Sequence, residues 1–270
     1  LLGLTLAVAL ARGWALPYVD LTDLHLKWGL IGWIGLLVAG VAIQLVPMLQ
    51  TTPAYPHGAV RWLARLAFLA LAAISVSVAL SSAAFLATWA GAALAVLVAT
   101  FAGFTLYLQS QRRRRQPDAT HMLWSTGMVS LLLCSALWVS AQWHPQIAAS
   151  RAYGPLLGIL MVAGFAMSVV NGMLYKIAPF LSWLHMQNLA RGIAVAPNVR
   201  KILPAEAALR QSRLHLAAVV LLAAAALWPT VFTYPAALVA ASSMALLWWN
   251  LMHTLKVYRR FRDSLAVSSI

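Results

Sequence analysis

The chain is 270 residues long, 63% hydrophobic and only 9% charged, with a formal net charge of +14. This composition excludes an ordinary soluble domain, which is nearer half apolar and a quarter charged. The basic excess does not point to nucleic acid, because the cations lie between apolar runs, where they orient a protein in a bilayer.

Several apolar runs reach the ~20 residues that span a bilayer. They are unbroken and lack period-2 alternation, so the backbone satisfies itself in helices rather than in a closed barrel. The fold class is therefore an all-α polytopic membrane protein. In chain order, spans are expected at about 1–12 (partial), 26–48, 62–81, 84–109, 122–142, 153–178, 214–232 and 236–257. The bundle thus has one partial and seven complete spans in a single transmembrane domain over 1–270. The first run, "LLGLTLAVALAR", lacks Met, a charged leader region and a cleavage-type motif. It reads as the tail of a helix, which makes the chain the expected C-terminal portion of a longer one.

The charges test this division. With "QRRRRQ" at 111–116 placed in the cytoplasm, fifteen Lys and Arg residues fall inside and three (Arg12, Lys27, Arg151) outside. That bias supports the segment count and puts the C-terminus in the cytoplasm, as in a multi-pass protein of a bacterial-type cytoplasmic membrane. Between 179 and 213, "APFLSWLHMQNLARG" has the mixture of an interfacial helix, and its basic residues suit lipid headgroups. "LPAEAALRQSRLH" starts with Pro204 and leads into the next span. Cys134 is the only cysteine and lies mid-span, as a small buried residue does.

An internal repeat appears at an offset of 132 residues. "LIGWIGLLVAGVAIQLVPML" (30–49) aligns with "VAGFAMSVVNGMLYKIAPFL" (162–181). Gly32 meets Gly164, Trp33 meets Phe165, Gly40 meets Gly172 and Pro47 meets Pro179. The approximate repeat units are 25–157 and 157–270, four spans apart and parallel. Sites often lie at such repeat interfaces.

His25 opens the first repeated helix, in "HLKWGLIGW". Histidine is costly in lipid, and neutral imidazole is a common ligand for haem iron and copper. Gly29, Gly32 and Gly35 follow at a spacing of three and leave room for another helix or a flat macrocycle. Two readings stand: a haem or copper ligand at His25, with Trp28 and Trp33 beside the cofactor, or an interfacial histidine next to close helix packing. The repeat partner of His25 is Leu157, so the ligand is not duplicated.

His57, His121, His144, His185, His215 and His253 form no tight ligand spacing. Near the inner ends of the repeated helices lie Gln44, Asn171, Tyr175 and Lys176, with His185 beyond them. These line an inner polar vestibule or bond carbonyls freed by Pro47 and Pro179.

At "HLKWGLIGWIGLLVAGVAIQLVPMLQTTPAYP" and "NGMLYKIAPFLSWLH" the chain resembles a bacterial membrane-protein family similar to haem–copper oxidase subunit I and to the haem- and copper-containing NnrS proteins. The resemblance implies a twelve-span oxidase-like fold built as three parallel four-span repeats, with metal ligands on the second helix of each. His25 then matches the metal-binding histidine of the sixth span. The tenth span of such oxidases carries two histidines, and this chain has none there. What remains is a single haem held between His25 and a helix outside this sequence, or a metal-free scaffold. The resemblance thus implies electron transfer or nitric-oxide-related redox chemistry, with haem or copper as cofactor, the bilayer as partner and other membrane or redox subunits alongside. The alternative is a cofactor-free membrane subunit or a small-molecule permease.

Overall fold

The computed structural model describes residues 1–56, 58–80, 84–113, 116, 118–190, 195 and 197–268. Their regular structure is all helical, with no strand among the described residues. The helices are α1 (Leu2–Arg12), α2 (Tyr18–Gln50), α3 (Ala59–Leu80), α4 (Ala84–Ser110), α5 (Ala119–Trp143), α6 (Pro145–Ala148), α7 (Tyr153–Ala190), α8 (Val199–Ile202), α9 (Ala205–Leu227) and α10 (Pro229–Ser268). Seven of them, α2 to α5, α7, α9 and α10, are long and apolar enough to cross a membrane.

Helix ends follow local chemistry. Helix α1 stops at Gly13, whose φ of 66° is the left-handed cap that glycine adopts without a Cβ penalty. Helix α9 starts just after Pro204, with Glu206 in its first turn, where a carboxylate favours the positive end of the helix dipole.

Two expected boundaries move. The break between the last two spans lies at Trp228–Pro229 rather than at 233–235. Trp228 leaves the helical conformation before the proline (φ −131°, ψ 73°), and Pro229 opens α10, where no amide hydrogen is needed. Pro235, expected to stop a helix, is carried inside α10. The 179–190 stretch is also not a separate interfacial helix. It continues α7 to Ala190, tied down by Met186 packing against Ile202, with Trp183, Tyr258 and Phe261 around them.

Helices α2 and α7 share an internal feature. Each contains an eight-residue π-helical segment, Trp28–Gly35 in α2 and Leu160–Met167 in α7. The two start and end at the repeat offset of 132 (28 to 160, 35 to 167). Each helix then carries a proline further along, Pro47 and Pro179. π-helical turns are rare and gather at functional sites.

The chain divides into two compact units: unit 1, Leu1–Arg113 with Leu131–Ala149, and unit 2, Arg114–Ser130 with Ser150–Ile270. Helix α5 gives residues to both.

In unit 1, α3 presents Ala67, Ala70, Leu71 and Ile74 at helical spacing to Ala90 and Leu94 of α4, with Leu24 and Trp28 of α2 alongside. Hydrophobic burial does not drive association between helices in lipid, so small residues that allow close van der Waals contact take over. Gly91 shows this: a Cβ there would come within 2.7 Å of the Trp138 ring.

The connection after α2 is fixed at one end of unit 1. Gln109 Nε2 donates to Gln50 Oε1 at 2.8 Å, and both side chains are buried. The Thr105 hydroxyl donates to the Phe101 carbonyl and accepts from the Tyr55 hydroxyl at 2.9 Å. Burial pushes the Tyr55 phenol up to about 12, against an ordinary 10. The unfolded chain loses this proton near 10 and the folded chain near 12, so the contribution to stability is lost as pH rises between the two. A tyrosinate titration is expected to show a component near 12 that is missing in Tyr55→Phe. If the variant removes a component near 10 instead, the Tyr55 phenol is not buried as described.

In unit 2, α7 is the central helix: half of its apolar window is buried, against 17% for α2. Gly164, Gly172 and Val169 of α7 meet Ser130, Leu123, Trp124 and Gly127 of α5. Tyr175, Leu203, Ala208, Leu209 and Leu247 close the core with Ala119 and Leu123.

Candidate functional site

In unit 1, the backbone places His25 on α2 with an exposed side chain. Its ring lies over α1 at Gly3, where a Cβ would come within 3.1 Å of Cε1 and 3.3 Å of Nε2. Asp23 and Lys27, on either side in sequence, pair with each other.

The neighbouring candidates face different ways. Gly29, one turn beyond His25, borders open space. Trp28 turns inward, donates from Nε1 to Ser75 Oγ at 2.9 Å and meets Phe68 edge-on. Gly32 admits the Trp28 ring and Leu71. Gly35 lies against the Leu30 carbonyl of its own helix. Trp33 is 73% exposed. The wider π turn moves residues three apart off a common face, so the three glycines do not form one strip. The donor chemistry at this place is a single imidazole, which could supply one ligand to a haem or copper. Among the described residues no three His, Cys, Asp or Glu side chains group as a metal site.

In unit 2 the candidates form a buried polar seam along α7. The ε nitrogen of His215 (α9) lies 2.9 Å from Ser168 Oγ and 3.2 Å from the Ala163 carbonyl. Ala163 lies in the π segment, where the changed bonding offers a carbonyl to a side chain. One turn on, Gln211 donates from Nε2 to Ser243 Oγ of α10 at 3.1 Å. Further along, Asn250 Nδ2 donates to the Tyr175 hydroxyl at 3.0 Å and to the Ala207 carbonyl at 3.3 Å. At the end of the seam Lys176 Nζ donates to Asp118 Oδ2 at 2.7 Å. Asp118 Oδ1 accepts from the Thr120 amide, as an N-cap does, and Thr120 Oγ1 donates to the Gly172 carbonyl.

Of the residues expected at an inner polar vestibule, Asn171, Tyr175 and Lys176 belong to this seam. His185 is exposed, with Nδ1 2.8 Å from the Leu181 carbonyl and its ring against Tyr258. Gln44 is exposed on α2 in unit 1. His57 lies outside the described residues, as do Arg114, Arg115 and Arg191. Cys134 is half-buried.

Sequence reasoning passed over Asp118, Ser168, Gln211, Ser243 and Asn250. A signal existed on the last two spans: residues 208, 211, 212 and 215, and residues 243, 250 and 254, each follow helical spacing and are buried. Comparison with family models, with curated proteins and with solved structures gives no match.

Proposed function

We propose that this chain is part of a redox membrane protein in which His25 would hold haem or copper, for electron transfer or nitric-oxide-related chemistry. The observation that carries the reading is the exposed His25 imidazole with open space at Gly29 one turn away, on the same face of α2. A flat macrocycle needs that combination of a free imidazole and a helix surface without side chains. Bound there, a haem supplies one-electron chemistry. Gly3 lets the ring lie close to α1, and the Asp23–Lys27 pair leaves its surroundings without net charge. A second ligand would come from elsewhere in the bundle or from outside this sequence.

The equal π segments in α2 and α7 favour a relation between these two helices, as four-span repeats would give. The distribution of Lys and Arg supports a cytoplasmic C-terminus, and the resemblance implies a bacterial cytoplasmic membrane with redox subunits as partners.

The test is an absorption spectrum with metal analysis of the full-length protein in detergent. A stoichiometric Soret band or copper signal is expected, lost in His25→Ala. An unchanged spectrum in the variant would remove His25 from the site. A colourless, metal-free preparation would favour the second reading, a cofactor-free membrane subunit or small-molecule permease. The hydrogen-bonding seam in unit 2, uncharged except for the Asp118–Lys176 pair at its end, is the observation on its side.

A further inference from the structure

Among the described residues, three buried side-chain polar atoms have no hydrogen-bond partner: Trp124 Nε1, Asn171 Nδ2 and Gln211 Oε1. All three belong to unit 2. They also share one level of it. Trp124 Cδ1, bonded to the orphan nitrogen, lies 3.1 Å from the place a Cβ would take on Gly172. Helices α7 and α9 are joined on one side of this level by the Ser168–His215 contact. On the other side they are joined by Asn250, which reaches both Tyr175 and Ala207. Residues 171 and 211 fall between these two ties, about one turn from each.

Two donors and one acceptor without partners are chemically specific. They complement a small molecule that accepts two hydrogen bonds and donates one. A buried water makes about three such bonds in a protein interior. The surrounding groups say where it enters. Toward the Lys176 end the seam offers Tyr175, Asn250, Thr120 and the Asp118–Lys176 pair, whose side chains are 15% and 28% exposed. Beyond His215 and Ser168 the buried lining turns apolar, with Leu160, Met161, Phe165, Ala218 and Val219.

We propose that unit 2 contains a hydrated half-channel. Water enters beside Asp118–Lys176, is held between Trp124, Asn171 and Gln211, and reaches as far as His215 and Ser168. This makes His215 a water-accessible, proton-accepting group at mid-span, independent of any cofactor at His25.

Thiol chemistry tests this, because the thiolate reacts and forms in water but not in a dry apolar seam. In a Cys134→Ser background, Ser168→Cys and Ser243→Cys are close to isosteric. Val170→Cys, on the outer face of α7, is the lipid-facing control. The full chain in liposomes is exposed to Ag⁺, then unfolded in detergent, and the remaining thiols are alkylated and counted. Blocking at the two seam positions is expected to be at least roughly tenfold faster than at Val170→Cys. Equal rates would overturn the proposal. If Ser168→Cys does not fold, Ser243→Cys carries the same comparison. Adding Asn171→Leu is expected to slow blocking at Ser168→Cys to the control rate. Unchanged fast blocking there would mean that water does not pass this level.

Discussion

Alanine at position 164 is expected to destabilise the protein by about 2 kcal/mol, the usual scale of overpacking. That corresponds to a fall of roughly 4–8 °C in the melting temperature for a chain of this size. The added Cβ would lie 2.4 Å from Ser130 Oγ and 2.7 Å from Ser130 Cβ. The hydroxyl can rotate away, but the Cβ moves only with the α5 backbone. The contact belongs to a row in which Gly127 meets Val169 and Gly172 meets Leu123, so α5 cannot shift at one point alone. The diagnostic variant is Gly164→Ala with Ser130→Gly, which restores the volume. It is expected to recover most of the loss, less about 0.5–1 kcal/mol for a glycine inside a helix. A neutral Gly164→Ala in thermal unfolding would mean that α5 and α7 do not pack this closely.

Lys176→Met is expected to cost about 2 kcal/mol. Removing one partner of a buried ion pair typically costs 3–5 kcal/mol, and partial exposure of both groups reduces that here. The Asp118 carboxylate keeps its N-cap bond to the Thr120 amide and loses its counter-ion. Adding Asp118→Asn removes the unpaired charge and retains a good N-cap residue, so the double variant is expected to regain more than half of the loss. The two single effects are thus expected to be strongly non-additive. Simple additivity in detergent unfolding would show that the pair does not hold α5 to α7.

The Asp118–Lys176 pair also shows why sequence reading stopped where it did. Lys176 was legible as a polar group near the inner end of a repeated helix. Asp118 was legible only as an acid at the edge of a basic loop. The two are 58 residues apart, and no periodicity links them. His215 was legible as a histidine near a span end. Its bonds to Ser168 and the Ala163 carbonyl depend on the π segment. Local patterning does not reveal that segment, because leucine, methionine and glycine suit α and π turns alike. The inward turn of Trp28 and the outward turn of Trp33 depend on the same widening.

By itself the sequence determined the membrane character and the seven long spans. Each of these rests on local quantities: run length, hydropathy, and the positions of glycine and proline. Pro204 marked the start of α9 for the same reason, while the break between the last two spans was placed at 233–235 and lies before Pro229. There the deciding factor was which proline could sit where no amide hydrogen was needed. The tertiary structure alone decided the two compact units, the polar seam and the three unpartnered atoms within it. In a chain whose surface is apolar almost everywhere, hydropathy does not distinguish a face toward lipid from a face toward another helix. Only close contact at small residues and the pairing of polar groups makes that choice.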